Sequence, residues 1–375
     1  MPSFWTPAGR ARRGARSTVK LSTLLVFLAA ACATPGPSPP LGCDPERVTL
    51  MSVPYWNLAD GAAKVGAHAR TLTGTSPWVY GVRPDGEISP HLSNPSAEDT
   101  KNLESIYASG LTTIPTVANH FDGGWQYEPI SRMLHDPAVM RDHIEDLTAL
   151  AVSQNFAGID IDYEELRAVD RTAFTEFMTR LGEALHSKGK KLAVTVSAKT
   201  SDAGNSEPNR AQDYGAIARA ADEVRVMAYD YHWQTSEPGP VAPGFWVRDV
   251  LAYATTQIEP NKIVLGVPAY GYDWSVGVAP PVSWARAHEL SQQHNAEVQW
   301  DEESETPWFR YWEGDTEHTV WFENAYSSAV KFQLAREFGV RGVYLWVFGP
   351  EDQLLWKKIN DDWKMLPCPG PPPPR

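Results

Sequence analysis

The sequence predicts an α/β chain folded as a (β/α)8 barrel, with a small α+β insertion between strand 7 and helix 7. Three observations carry this. Short β-rich runs alternate with amphipathic helical stretches along the chain; strands four to seven start at 156, 191, 224 and 262, about one strand, loop and helix apart; and no Gly-rich phosphate loop follows the first strand, as a dinucleotide-binding open sheet would require.

The predicted strands are Val48–Val53, Pro77–Val82, Leu111–Val117, Phe156–Asp162, Lys191–Ser197, Val224–Tyr229, Lys262–Pro268 and Val340–Val347. Eight fit a closed barrel better than an open doubly wound sheet. The clearest helices are Ala138–Ser153, Arg171–Ser187 and Trp246–Ile258; in the first, Ile144, Leu147, Leu150 and Ala151 trace one apolar face. From strand seven to strand eight the chain runs about twice the usual length. Its polar and aromatic runs, Trp308-Phe309-Arg310-Tyr311-Trp312 among them, predict a small inserted sheet over about Trp284–Trp321. Placed before helix seven, it would form a wall on the carboxyl face of the barrel, where active sites of this fold sit.

The ends read differently. A basic stretch (Arg10, Arg12, Arg13, Arg16, Lys20) precedes the apolar run Leu21–Ala31, which is too short to span a bilayer but suits a secretory signal. The run ends in Leu28-Ala29-Ala30-Ala31-Cys32, resembling a bacterial lipoprotein signal. Residues 1–31 are therefore expected to be a signal peptide and Cys32 a lipidation site and membrane anchor. Residues 32–46 would form a Pro-rich tether, 47–366 the barrel, and 367–375 a disordered Pro-rich tail. Export permits disulfides. Cys43 and Cys368, at the two ends of the folded region, are then a candidate pair, with two free thiols the alternative.

Composition narrows the function. The chain is 42% apolar and 21% charged, enough for a sizeable core. A formal net charge of −13 argues against nucleic acid as a partner. Fifteen Trp, 14 Tyr and 12 Phe exceed ordinary core needs and hint at a surface that stacks flat ligands. The ten His and three Cys show no tight metal-ligand spacing. No metal site, no cofactor and a monomer are expected.

The most informative run is Phe156-Ala157-Gly158-Ile159-Asp160-Ile161-Asp162-Tyr163-Glu164-Glu165-Leu166. Side chains alternate along a strand, so Asp160, Asp162 and Glu164 share one face and Glu165 points away. Three acids on one face raise one another's pKa. That crowding costs stability, yet it is how a general acid is kept protonated near neutrality.

This run resembles the DGxDxDxE signature of family 18 glycoside hydrolases, whose fold is a (β/α)8 TIM barrel. The resemblance implies cleavage of β-1,4 bonds next to N-acetylglucosamine by substrate-assisted catalysis, outside the usual two-carboxylate scheme. It makes Glu164 the general acid and then base. It also makes Asp162 the group that orients the substrate's 2-acetamido arm and Asp160 the residue that tunes Asp162. The signature's first Asp is replaced by Ala157. Met227-Ala228-Tyr229-Asp230 is similar to the family's MxYD motif, which implies that Tyr229 donates to the acetamido oxygen and Asp230 binds the sugar or Glu164. Trp346 in Tyr344-Leu345-Trp346 falls where the family keeps a Trp beneath the sugar. Tyr55, Asn119 and Trp233 are further substrate-binding candidates. Val264–Trp274 and Val320–Glu323 are similar to the branch containing bacterial spore-cortex-lytic N-acetylglucosaminidases. The expected partner is thus an N-acetylglucosamine-containing glycan, in peptidoglycan or chitin-type chains. A glycan-binding protein of this fold that has lost turnover is the alternative, and a purely structural envelope lipoprotein is a third reading.

Overall fold

The computed structural model describes residues 47–364 except Asn205 and Phe348. The expected signal peptide, Cys32, the expected tether, the candidate pair Cys43 and Cys368 and the expected tail lie outside the described residues. Among those described, no helix is long and apolar enough to cross a membrane.

Eight parallel strands close into a barrel: β1 Val48–Pro54, β2 Gly74–Val82, β3 Thr116–Ala118, β4 Gly158–Asp162, β5 Lys191–Ser197, β6 Glu223–Met227, β7 Ile263–Ala269 and β8 Gly342–Val347. Each pairs with its sequence neighbours, and β1 pairs with both β2 and β8. The surrounding helices are α1 Leu58–His68, α2 Ala97–Tyr107, α3 Pro137–Ser153, α4 Arg171–His186, α5 Tyr214–Ala220, α6 Gly244–Gln257, α7 Ala325–Glu337 and α8 Leu354–Lys358. The TIM barrel expected from the sequence is the fold.

Local chemistry explains the elements. Helix α3 starts where Asp136 accepts hydrogen bonds from the amides of Ala138 and Val139, with Pro137 pre-set in the first turn. Its neighbour α4 buries Phe174, Phe177, Met178, Leu181 and Leu185 against the barrel, each worth roughly 1.5–3 kcal/mol. In β4, Ile159 and Ile161 are fully buried, as expected for an outward face covered by helices. The alternate residues, Asp160 and Asp162, point into the barrel with Thr116, Thr195 and Arg225.

Two boundaries differ from the sequence reading. The third predicted strand, Leu111–Val117, is broken into Thr112–Thr113 and β3, because Pro115 lies between them and has no N–H for the ladder. The inserted region begins earlier than Trp284. Directly after β7 the chain enters a five-stranded antiparallel sheet built from Gly271–Trp274, Pro281–Val282, Gln299–Asp301, Thr306–Glu313 and Thr316–Phe322. The helix Trp284–Gln293 covers one face of this sheet, where Phe309, Tyr311, Val320 and Phe322 are buried with Ala287 and Leu290.

Candidate active site

Beneath the catalytic end of the barrel lies a buried charge cluster. Asp160 is fully buried, and Thr116 donates a 2.8 Å hydrogen bond to its Oδ2. Thr195 Oγ1 lies 3.1 Å from both of its carboxylate oxygens. Arg225 Nη1 makes an ion pair with Asp160 Oδ2 at 3.0 Å, donates to Ser76 Oγ at 2.6 Å, and its Nη2 reaches Glu223 at 3.4 Å. Burial pushes the Asp160 pKa up, while Arg225 and the two threonine hydroxyls pull it back.

One step toward the strand end, Asp162 is pushed up to about 7, first by burial and then by the charge of Asp160. Its Oδ2 accepts from the Trp78 indole at 3.1 Å, whereas its buried Oδ1 has no hydrogen-bond partner among the described residues. Glu164 lies just past the strand and is half-buried. Its carboxyl is held well above the usual range by burial, then by Asp162, Glu165 and Asp230. The next residue, Glu165, turns into the left-handed region (φ +57) and out to solvent, so the chain reverses immediately after the acid. Such a conformation in a non-glycine residue is a local strain of the kind that clusters at functional sites.

Asn119 has a different task from the one expected. Rather than facing a sugar, its side chain is fully buried and bonded at both ends to the backbone of Glu164: Oδ1 accepts from the amide at 2.7 Å and Nδ2 donates to the carbonyl at 2.8 Å. An amide carries one donor end and one acceptor end, which matches a peptide unit. Asn119 therefore positions the acid.

Tyr229 is half-buried, and burial holds its hydroxyl well above the usual phenol pKa, so it stays a donor. A Cβ at Gly266 would lie 2.7 Å from its ring, so this ring position needs glycine on β7. Asp230 also takes a left-handed backbone (φ +59). The hydroxyls of Tyr270 and Tyr272 both donate to its Oδ1, at 2.7 and 3.0 Å. Trp346 is half-buried and meets Trp56 edge to face at 6.4 Å. Tyr55 stacks on His91 at 4.3 Å, close to Trp78. Trp233 is 53% exposed, and its carbonyl accepts from the Trp274 indole.

Sequence reasoning missed Trp78, Arg225, and the Tyr270–Tyr272 clasp on Asp230. Arg225 had a legible signal, since a charge inside Val224–Met227 is out of place in a central strand. Trp78 had little: the register shift between Trp78 and Tyr80 against β3 hides which face it takes. Among the described residues, no group of His, Cys, Asp and Glu is placed to hold a metal.

The arrangement can deliver a proton from a half-buried carboxyl whose pKa is raised, beside a second, buried carboxyl that raises it further. Residues 96–350 match glycosyl hydrolases family 18. The chain belongs to family 18. It is a glycosidase of that family, and hydrolysis of a glycan is its chemistry. It is 32% identical over 273 residues to the cortical fragment-lytic enzyme of Bacillus subtilis, covering 71% of this chain and 63% of that protein's length. The chitinase of Chromobacterium violaceum superposes with a TM-score of 0.78 at 28% identity, over 85% of this chain and all of that one. The spore cortex-lytic enzyme SleL of Bacillus megaterium superposes with a TM-score of 0.75 at 29% identity, over 85% of this chain and 75% of that one.

The stacked carboxyls of this family 18 chain set its pH behaviour. Glu164 must keep its proton to act as the acid, and its carboxyl is held well above the usual range, so turnover is expected to persist past the ordinary carboxylate range and to fall as pH rises through that raised value. Asp162→Asn removes a like charge that raises Glu164. The basic limb of its residual turnover is therefore expected at lower pH than in the wild type. Coincident limbs in the two pH–rate profiles would show that the two groups do not interact.

Proposed function

We propose that the protein is a retaining glycosidase that cleaves β-1,4 linkages next to N-acetylglucosamine, in peptidoglycan or chitin-type glycan, through an oxazolinium ion. The observation that carries this is Glu164, its backbone clamped by Asn119 and its carboxyl held well above the usual range, following a buried Asp162 with one oxygen free of partners.

In this reading Glu164 gives its proton to the glycosidic oxygen as that oxygen's bond to the anomeric carbon breaks. The substrate's own acetamido carbonyl oxygen attacks the anomeric carbon and forms the oxazolinium ring. Asp162 Oδ1, free of other partners, accepts the acetamido N–H and stabilises the ring's positive charge. Tyr229, kept as a donor by its buried site, hydrogen-bonds the acetamido oxygen. Water then attacks the anomeric carbon and returns a proton to Glu164. The ring reopens, and the β configuration is retained. The substrate supplies the nucleophile, so no cofactor is needed. Asp160 and Arg225 form the fixed floor beneath these groups.

We further propose export and attachment to the cell envelope through Cys32, which would hold the barrel beside its glycan. The decisive experiment is mass spectrometry and anomer analysis of products from sacculi and from N-acetylglucosamine polymers. Oligosaccharides with β-anomeric reducing ends are expected from at least one of them. Binding with no product from either would favour the glycan-binding alternative. Tyr229→Phe is expected to lower kcat roughly 10²-fold by removing one donor to the developing charge; an unchanged kcat would remove Tyr229 from the mechanism.

A further inference from the structure

We propose that the amino end of the barrel, at the end opposite Glu164, holds a binding site for a small oxyanion of phosphate type, built from Lys191, Arg225 and Arg341. The site does not depend on the glycosidase reading above.

The strand starts gather these residues. Lys191 opens β5, Glu223 opens β6, and Arg341 immediately precedes β8. Parallel strands of a closed barrel begin on one rim, so side chains at their first positions converge there although they lie far apart in the chain. They line a recess of about 90 Å³ together with Arg225, Thr73 and Thr112. A single water requires roughly 10–15 Å³, so there is room for a tetrahedral ion of five heavy atoms. Glu164 lies past the other end of the barrel, just after β4.

The charges in the recess do not cancel. Arg225 pairs with Asp160 at 3.0 Å and with Glu223 at 3.4 Å. Lys191 and Arg341 are half-buried and form no ion pair among the described residues. Three cations therefore meet two carboxylates, in a chain whose formal net charge is −13. Excess positive charge gathered in a partly desolvated hollow is costly unless an anion joins it.

Two donors also remain to be used. The Nε atoms of Arg225 and Arg341 are buried and have no hydrogen-bond partner among the described residues, and Arg225 is only 1% exposed. A buried N–H left unpaired costs the full desolvation of that donor. The carboxylates of Asp160 and Glu223 engage Arg225 through Nη1 and Nη2, which leaves Nε for a further acceptor. Guanidinium groups bind oxyanions through paired N–H donors, and an ammonium adds a compact point charge. Cations set around a rim approach from different directions. A tetrahedral set of oxygens meets them all, whereas a planar carboxylate does not.

The test titrates potassium phosphate into the wild-type protein, Lys191→Gln, Arg341→Gln and the double variant. Calorimetry and melting temperature are the readouts, with potassium chloride at equal ionic strength as the reference and circular dichroism to verify folding. Phosphate strengthens burial in any protein because it is excluded from the surface. The signature is therefore the part of the effect that saturates and that the variants lose. The wild type is expected to bind saturably and to melt at least about 2 °C above the chloride reference. The double variant should bind at least about tenfold more weakly, and each single variant should lose part of that. Glycerol 3-phosphate, titrated in parallel, separates two sources of the same chemistry: tighter binding than phosphate assigns a lipid headgroup, weaker binding the free ion. No saturable binding in the wild type, or equal binding in the wild type and the folded double variant, would overturn the site.

Discussion

Glu164→Gln is expected to lower kcat by about 10²–10⁴-fold, the range for loss of a general acid, while retention on glycan stays near wild type. The amide has nearly the shape of the carboxyl it replaces, and the Asn119 clamp acts on the backbone of residue 164, not on its side chain. The variant should therefore sit where the acid sat. It differs in having no proton to give to a leaving oxygen and no basic site to activate water. Stability should hold or rise slightly. The folded carboxyl is already held well above its usual pKa, so it favours the neutral form that Gln imitates. Between the ordinary carboxylate range and its raised value, the folded wild type keeps a proton that the unfolded chain releases. That part of its stability is lost as pH rises, and Gln removes this dependence. Steady-state kinetics with sedimentation onto insoluble polymer checks both halves. Turnover within tenfold of wild type would take the acid role away from Glu164.

The second large effect is on stability. Arg225→Met is expected to destabilise the fold by about 3–5 kcal/mol, the usual result of removing one partner from a buried ion pair. Arg225 is 1% exposed, lies between Asp160 and Glu223 and rests against the Tyr344 ring at 5.3 Å. Methionine fills part of the space but leaves two buried carboxylates without their cation. Asp160, whose pKa Arg225 pulls down, would then take up a proton more readily. The loss should accordingly be larger at pH 7.5 than at pH 5, because at lower pH the stranded Asp160 carboxyl can take up a proton. Adding Glu223→Gln should restore part of the stability. Denaturant midpoints at the two pH values measure this. A loss below about 1 kcal/mol at both would mean that water or a rearranged neighbour replaces the guanidinium.

Much of the barrel was legible because its signals are local. The period-2 alternation within Phe156–Asp162 placed the acids on one side, and β4 has that alternation, with Ile159 and Ile161 outward and Asp160 and Asp162 inward. Boundaries were less legible. Pro115 divided one expected strand, and the insertion's first strand, Gly271–Trp274, follows β7 so closely that it reads as its continuation. Asn119 illustrates the limit at the site: an Asn after strand three is an equally good ligand for a sugar or for a peptide unit, and only its distance to residue 164 separates the two.

The amino-acid order alone determined the repeating strand and helix units and the run of three carboxyls, since both follow from backbone geometry over a few residues. The tertiary structure decided what surrounds those carboxyls. Trp78 reaches Asp162, Arg225 reaches Asp160, and Tyr272 reaches Asp230. The first two contacts cross between strands far apart in the chain, and the third comes from the insertion. They exist only once the sheet has closed, because closure turns separate inward-facing residues into one shared interior.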